Sequence, residues 1–475
     1  MIVIPGALHG GEPGMTEAIV AAVAVENPAA LRWWQEWRSG TRLPVAFERL
    51  RQAAGGFGNI ARALGHRNYR VYISGNAVQL IGTWMQRVSS GWLAWTLTHS
   101  GTWLGLMSMA EFLPVLFLSP LAGVLADRRD RVGIIRITQL IGCAQATLLA
   151  ILVATDLISI HLLFALVLLL GINQGIAQPA RLALIPTLVD REALPSALAI
   201  NSIVFNSARF IGPAIAGVLI ARVGIGAAFA ANALTYLAFQ ISLANLRDIP
   251  PLPVRAAQNA LRASLEAYSY ASRHPGIAPM LLLFAVTTVG TRGFIELFPG
   301  FADSVFHRGP QGLATLTSTV GLGAIFGGVW MLIRSQLSGL TTIVLANTLI
   351  MSLAIIAFTA TDSFTLALPC VFIAGTAMVI TGIGAQTLIQ ASTDRSMAGR
   401  VMALYGVIFR AGPALGAVVM GTASEHLGLR LPLAIGATVS CLCWALTLHR
   451  RKTIAASLED PPLDDRAAVP AERGA

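Results

Sequence analysis

The chain has 475 residues, of which 55% are hydrophobic and only 12% are charged, whereas about a quarter of the residues in soluble domains are charged. Its formal net charge of +10 is carried almost wholly by arginine, since Lys452 is the only lysine, and these arginines fall in short gaps between long apolar segments. This composition excludes a soluble globular domain, and the scatter of the arginines argues against a protein that binds nucleic acid on one basic face.

Residues 1–66 differ from the rest and are predicted to form a cytoplasmic N-terminal extension. The apolar run Ile19–Val25 is short, lies between two glutamates and lacks a preceding basic region, which argues against a cleaved signal peptide. The segment Leu31–Leu50 mixes three tryptophans with four arginines, a pattern typical of an amphipathic helix at the membrane interface. Two alternatives stay open: the segment is a disordered arm, or the true start of the protein is Met15 or a later codon.

From Tyr69 onward, window hydropathy predicts twelve membrane spans, each able to cross about 30 Å of hydrocarbon. They are predicted at 69–97, 102–126, 132–154, 161–182, 196–221, 225–246, 278–300, 311–333, 339–360, 364–390, 399–423 and 430–449. The polar, proline-containing loop Arg247–Pro275 divides them into six and six. We expect an N-terminal bundle over 67–246, a cytoplasmic linker over 247–277, a C-terminal bundle over 278–450 and a disordered cytoplasmic tail over 451–475.

The turn between the second and third spans sets the orientation. Asp127–Arg131 carries five charges in five residues, so it lies in water, and the positive-inside rule places it in the cytoplasm. Most arginines fall in gaps on the same side, whereas the opposite gaps hold Arg222, Arg308 and Arg430. Both termini and the long loop are therefore predicted to be cytoplasmic.

The two halves of the chain repeat. Arg209–Gly217 in the fifth span is similar to Arg410–Gly416 in the eleventh, and Pro213 and Pro413 occupy matching places. Six spans duplicated in the same orientation are typical of transporters built from parallel repeats.

Several motifs carry a resemblance to a known family. Gly123, Asp127, Arg128 and Arg131 resemble the loop 2–3 signature of the major facilitator superfamily, and Arg209, Gly212, Pro213 and Gly217 resemble its fifth-helix motif. Five further segments of the chain are similar to a subgroup of bacterial efflux proteins that includes the enterobactin exporter. They are Arg67–Arg70, Gly82–Arg87, Gln178–Arg181, Asn206–Pro213 and Gly399–Met402. The resemblance implies an all-α integral membrane protein, with twelve transmembrane helices as two six-helix parallel repeats in the bacterial inner membrane.

The resemblance also implies a conformational latch formed by Gly123, Asp127, Arg128 and Arg131. Asp127 would pair with an arginine and with the N-terminus of the eleventh span, whose positive dipole end attracts a carboxylate, while the substrate site faces outward. The alternative is that Asp127 only marks the end of its span. The chain departs from the family at loop 8–9, Arg334–Gly339, which lacks the acidic residue, and at Ala177, where relatives often carry an acid.

Polar residues recur on one face of the first span at spacings of three and four, so they share a helix face. Such a face in lipid is expected to turn toward a cavity or a partner helix. The resemblance implies that the first, fourth, seventh and tenth spans line the cavity, which makes their polar residues candidates for substrate contact. They are Gln79, Thr83, Gln86 and Arg87, then Gln174, Gln178 and Arg181, then Arg292, and finally Gln386 and Gln390. Hydrogen bonding between helices is the alternative for each of them.

Charges inside a membrane are candidates for function. Glu111, about nine residues into the second span, is the first candidate for proton coupling, and Glu296 in the seventh is the second. Arg292 and Glu296 stand four residues apart and can pair with each other. Arg209 and Arg410 lie beside the Gly-Pro kinks and are expected to bond to neighbouring helices.

The sequence predicts a monomeric secondary transporter that works by alternating access and exports small amphiphilic molecules, such as a siderophore, drug or metabolite, with protons as coupling ion. A facilitator or importer is the alternative within transport, and a receptor or enzyme on the same scaffold is the alternative outside it. The histidines are scattered, the four cysteines lie in apolar segments, and no phosphate-binding loop is present. We therefore expect no catalytic site, metal or cofactor. We also expect the protein to contact the lipid bilayer and not to bind nucleic acid.

Overall fold

The computed structural model describes residues 62–247, 260–334, 336–394 and 396–459, without the side chains of residues 120, 124, 126–128 and 260–265. Within this part of the chain all regular structure is helical. The first sixty-one residues, with the segment Leu31–Leu50, and the tail beyond Glu459 lie outside the described residues.

The first half consists of six long helices joined by short turns. They are α1 (Arg67–Thr98), α2 (Gly101–Arg128), α3 (Arg131–Ala154), α4 (Ile160–Leu184), α5 (Leu194–Arg222) and α6 (Ile225–Ala244). Each one ends within a few residues of the predicted span, because charged or turn-forming residues interrupt the apolar runs there.

The second half contains six further spans and two short helices. The elements are α7 (Ala260–Arg273), α8 (Ile277–Gly290), α9 (Gly309–Arg334), α10 (Leu340–Ala360), α11 (Phe364–Ser392), α12 (Ala398–Leu427), α13 (Arg430–His449) and α14 (Arg451–Glu459). Among the described residues, 11 helices are long and apolar enough to cross a membrane. The more polar α1, at 32 residues, brings the spans to the predicted twelve.

The packing of the two halves follows the same scheme. In the first half α2 packs on α4, and α3 packs on α4 and α6; in the second, α9 packs on α11, and α10 packs on α11 and α13. The halves meet along two helix pairs, α2 with α12 and α5 with α9. The two six-helix parallel repeats predicted from sequence are confirmed.

The charged turn between α2 and α3 is short because an extended residue ends α2 and the side chain of the next residue caps α3. Arg129 is extended, which ends α2. The carboxylate of Asp130 then accepts hydrogen bonds from the backbone N–H groups of Val132 and Gly133, both at 3.0 Å. An aspartate N-cap satisfies amide groups that have no partner inside the helix, so Asp130 starts α3.

The sequence predicts the seventh span as one continuous helix over 278–300, but in the structure this helix is broken. Helix α8 ends at Gly290, a 3₁₀ segment runs over Arg292–Leu297, and a helical turn leads into a π-turn at Phe301–Val305. A Cβ on Gly290 would lie 2.6 Å from the carbonyl oxygen of Gly436, and one on Gly293 would lie 2.8 Å from the backbone nitrogen of Ala417. The break therefore occurs where the backbone passes tightly against α12 and α13.

Two segments predicted as a polar linker and a disordered tail are partly helical. Helix α7 packs on α12, where Glu266 forms an ion pair with Arg400. In the tail, residues 451–459 form α14, which buries Ile454 and Leu458 against the second half. The expectation of disorder is wrong for these residues, because two apolar side chains four apart give this otherwise polar segment a face to pack.

Candidate functional site

One arginine in the interior contacts two glutamates. Arg87 of α1 places Nη2 2.6 Å from Oε1 of Glu296, and its Nε lies 3.5 Å from Oε2 of Glu111 in α2. The three side chains are 17–22% exposed. Since Glu296 belongs to the seventh span, this charged trio joins the two halves of the protein.

Aromatic rings surround the trio on the side of the first half. The guanidinium carbon of Arg87 lies 4.5 Å from the ring centre of Phe112 and 5.2 Å from that of Trp84. Arg209 of α5 lies 5.5 Å from the same Trp84 ring. A cation over an aromatic face is stabilised by the ring quadrupole, so the Trp84 ring contributes to holding both positive charges in the interior.

The pairing of Arg292 with Glu296 that their spacing allows does not form. Both residues lie in the 3₁₀ segment, where about 3.0 residues make one turn, so side chains four apart point in different directions. Glu296 is held by Arg87, and Nη2 of Arg292 donates to the backbone carbonyl of Met378 at 2.8 Å.

Arg292 lies instead against a stack of aromatic rings in the second half. Its guanidinium carbon is 5.0 Å from the ring centre of Phe284 and 5.1 Å from that of Phe409. The Tyr405 ring stacks on Phe284 at 4.7 Å, and its hydroxyl donates to the carbonyl of Gly382 at 2.8 Å. Sequence analysis missed this stack, although Tyr405 and Phe409 share one helix face at a spacing of four.

Much of the polar stripe on α1 serves contacts between helices. Nη1 of Arg181 in α4 donates to the side-chain oxygen of Gln79 at 3.0 Å, and the amide of Gln79 donates to Thr83 at 2.7 Å. Gln86 donates to Gln145 of α3 at 2.9 Å and accepts from Asn232 of α6 at 2.5 Å. Gln79 and Gln86 are fully buried, so the structure gives both a bonding role inside the first half.

The other four candidate glutamines form no such contacts with the described residues. Gln174 and Gln178 of α4 are half-buried, Gln386 and Gln390 of α11 are exposed, and none of the four forms a hydrogen bond within the described ranges. They stay candidates for contact with a substrate.

The helices α2 and α12 are in tight contact at one end. A Cβ on Gly105 would lie 2.6 Å from the carbonyl oxygen of Ala417, and one on Gly101 would lie 2.9 Å from that of Gly421. Beside this contact the carboxylate of Glu425 accepts hydrogen bonds from the hydroxyl of Ser100 at 2.5 Å and the backbone N–H of Thr102 at 3.1 Å. A carboxylate of the second half thus binds the N-terminus of α2, where the helix dipole favours negative charge.

The same two helices part at the other end. On α12, Gly399, Ala403, Gly406 and Arg410 continue the line of Ala417 and Gly421 at helical spacing. Ala403 and Arg410 are exposed, and a Cβ on Gly399 or Gly406 would meet no atom within 4 Å. A cleft therefore opens between the halves at the end that carries the loop 2–3 signature.

The predicted latch residues lie along this cleft. A Cβ on Gly123 would also meet nothing within 4 Å, and Arg131 begins α3. The side chains of Asp127 and Arg128 lie outside the described part of the chain, so the pairing expected of Asp127 stays a prediction.

The fifth-helix motif brings α5 close to two neighbours. Pro213 lies inside the helix, and a Cβ on Gly212 would lie 2.7 Å from Cβ of Trp84 in α1. Gly217, one turn further on, faces Ala314 of α9 in the second half. Small residues let backbones approach in this way. Gly212 does so within the first half, and Gly217 does so between the halves, at the same end as Glu425.

Comparison with known proteins places this geometry in a family. The family model MFS_3, described as a transmembrane secretion effector, matches residues 62–468. The enterobactin exporter EntS of Citrobacter koseri is 29% identical over 353 residues, which cover 73% of this chain and 79% of that protein. The staphyloferrin A transporter of Staphylococcus aureus is 30% identical over 168 residues, which cover 35% of this chain and less than half, 42%, of that protein.

Solved structures share the fold. A bacterial homologue of the human lysosomal transporter Spinster, in an inward-facing and unoccupied conformation, aligns with a TM-score of 0.65 at 17% identity, covering 82% of this chain and 98% of that one. A POT family transporter in complex with a thioalcohol-conjugated peptide aligns with a TM-score of 0.66 at 11% identity, covering 82% and 96%. At these identities the likeness concerns the fold.

Proposed function

Because this chain belongs to the major facilitator superfamily, in the family of transmembrane secretion effectors, we propose that it exports a small amphiphilic molecule from the bacterial cytoplasm by proton antiport. It is a multi-pass membrane transporter rather than an enzyme, and its relatives include siderophore exporters. The observation that carries the proposal is the trio of Arg87, Glu111 and Glu296, in which two carboxylates share one cation between the two halves.

In the proposed transport cycle, α2 and α12 are in contact at one end and then at the other, in alternation. The cleft opens at the end that holds most of the arginines, which the positive-inside rule assigns to the cytoplasm. This arrangement supports an inward-facing conformation with both termini in the cytoplasm, ready to load a molecule for export. Closing the cleft and separating Gly101 from Gly421 would open the space between the halves to the outside.

The trio supplies a place for the proton. With both carboxylates ionised the trio carries one net negative charge, and one proton neutralises it. Glu111 is the proposed carrier, because its oxygen lies 3.5 Å from Arg87 whereas that of Glu296 lies at 2.6 Å, and the closer pair holds its charge more strongly. The proton would enter in the outward-facing state and leave to the cytoplasm in the inward-facing state, opposite to the substrate.

The proposal is tested by screening amphiphilic compounds with the purified protein in liposomes under an imposed pH gradient. We expect a transported compound whose movement is accompanied by proton movement in the opposite direction. Glu111→Gln should abolish this gradient-driven transport but keep substrate binding and substrate exchange across the bilayer. Asp362→Asn, which alters an exposed carboxylate paired with Arg430, is the matched control. Flux that ignores the pH gradient in the wild-type protein would instead favour a facilitator.

A further inference from the structure

The second half contains a buried positive charge that has no counterion among the described residues. Arg292 is 6% exposed, and none of the described carboxylates lies within ion-pair distance of it. One nitrogen of its guanidinium donates to the carbonyl of Met378, while the buried Nε has no hydrogen-bond partner. A buried charge of this kind is costly unless it is paired.

The neighbouring charges do not supply the missing partner. Arg209 and Arg410 lie inside the membrane-spanning part as well, and neither forms an ion pair within the described ranges. The two interior glutamates, Glu111 and Glu296, are both engaged by Arg87. Among the described residues, the interior of the transporter therefore carries more positive than negative charge, which a bound anion would offset.

The aromatic stack beside Arg292 gives the site a second feature. The rings of Phe284 and Phe409 are nearly parallel, with an interplanar angle of 10°, and the Phe409 side of the stack is 44% exposed. Arg410, the next residue on α12, is exposed on the line where α2 and α12 part. The exposed ring of Phe409 therefore lies beside the cleft, with the buried guanidinium of Arg292 5.1 Å from its centre.

We propose that this site binds the aromatic acid group of the transported molecule. A planar ring would extend the stack on Phe409, and a carboxylate or phenolate on that ring would pair with Arg292. This inference rests on the proposed transport function and names its substrate class, an organic anion that carries an aromatic ring. Tyr405 positions the stack through its hydrogen bond to Gly382, and a Cβ on Gly382 would lie 2.9 Å from Nη2 of Arg292, so the guanidinium fills the space that this glycine leaves.

The test measures binding of salicylate to the purified full-length protein by titration calorimetry. Two matched probes separate the two features: cyclohexanecarboxylate has the charge without the aromatic ring, and benzyl alcohol has the ring without the charge. We expect salicylate to bind about tenfold more tightly than either probe, a difference of the size that one stacking or ionic contact provides. Equal affinity for salicylate and benzyl alcohol would overturn the proposal.

Variants assign the binding to this site. Arg292→Gln should weaken salicylate binding by about tenfold or more, and Phe409→Leu should remove the preference for salicylate over cyclohexanecarboxylate. Arg308→Gln is the control, since Arg308 also lies over a phenylalanine ring, that of Phe364 at 5.7 Å, but at the closed end. Unchanged binding in monodisperse Arg292→Gln would overturn the proposal, and Phe409→Leu decides it if the first variant does not fold.

Binding and transport can fail separately in these experiments. A compound that is moved by the pH gradient but is neither anionic nor aromatic would leave the proposed export in place and remove this site. Salicylate binding that depends on Arg292, without any gradient-driven flux in the liposome screen, would support the site and contradict the coupling.

Discussion

The carboxylate of Glu459 accepts a hydrogen bond from the backbone N–H of Thr341 at 2.7 Å. Its other oxygen accepts from the N–H of Gly339, so a residue of the C-terminal helix α14 caps the N-terminus of α10. Asp130 does the same for α3, the matching helix of the first half, from within its own loop. Loop 8–9 lacks an acidic residue, and Glu459 supplies the missing carboxylate from a distant part of the chain.

Glu459→Ala should therefore destabilise the second half. Loss of a helix N-cap costs about 0.5–2 kcal/mol, so we expect a lower temperature of thermal unfolding in detergent. Lys452→Ala, at an exposed position of the same helix, is the control and should leave the unfolding temperature unchanged. Equal unfolding temperatures of the two variants would show that this cap contributes nothing to stability.

The spans could be predicted from sequence because the signal for each one is local. An apolar run and the charge that ends it lie next to each other in the chain, so Asp130 marks the start of α3 without any knowledge of the fold. The break in the seventh span could not be predicted in this way, because its cause is the close approach of Gly290 to Gly436, a contact across 146 residues of sequence.

The site was predicted only in part for the same reason. Arg87, Glu111 and Glu296 could each be identified as charges inside the membrane, but their pairing depends on where the seventh span lies against the first. The pattern on α1 identified Gln86 as a polar residue facing inward. Its partners Gln145 and Asn232 lie on other helices, so sequence alone could not separate bonding between helices from contact with a substrate.

Glu296→Gln should behave differently from Glu111→Gln. Glu296 forms the closer contact with Arg87 and links the two halves, so its loss should impair substrate exchange as well as transport driven by a pH gradient. The measurement is both activities in the same liposomes, with Glu111→Gln as the comparison. Retained exchange in Glu296→Gln would show that this contact does not hold the halves together.

Asp127→Asn tests the predicted latch. We expect the protein to insert and fold normally but to lose transport by about tenfold or more, equivalent to at least about 1.4 kcal/mol, because the outward-facing state loses its closing contact. Asp130→Asn in the same turn is the control, since asparagine is also a good N-cap. Near-normal flux from a well-expressed Asp127→Asn protein would exclude the latch.

The orientation can be measured with single cysteines in a background without the four native ones. The cysteine of Asp362→Cys should react with an impermeant thiol reagent in intact cells, because Asp362 is 88% exposed and lies at the proposed external end. The cysteine of Arg129→Cys should react only after permeabilisation. The opposite pattern would reverse the proposed sides and turn the open cleft outward.

Glu425→Ala should loosen the closed end. The variant removes the carboxylate that binds Ser100 and the N-terminus of α2, so we expect the outward-facing state to become more populated. A cysteine introduced by Ser424→Cys, at a buried position in this contact, should then react faster with external reagent than it does when Glu425 is present. An unchanged reaction rate would show that small-residue packing alone keeps this end closed.

The helix pair α2 and α12 carries an acidic residue near each of its two ends, Asp127 on one helix and Glu425 on the other. With the contact predicted for Asp127, each closure places a carboxylate of one helix at the N-terminus of its partner, an interaction worth about 0.3–1 kcal/mol near a surface. The two contacts act on opposite sides of the equilibrium between the two conformations, so their contributions largely cancel and neither closure is favoured by its carboxylate. Helix packing and the differential affinity of the two conformations for a proton or a substrate then set the populations.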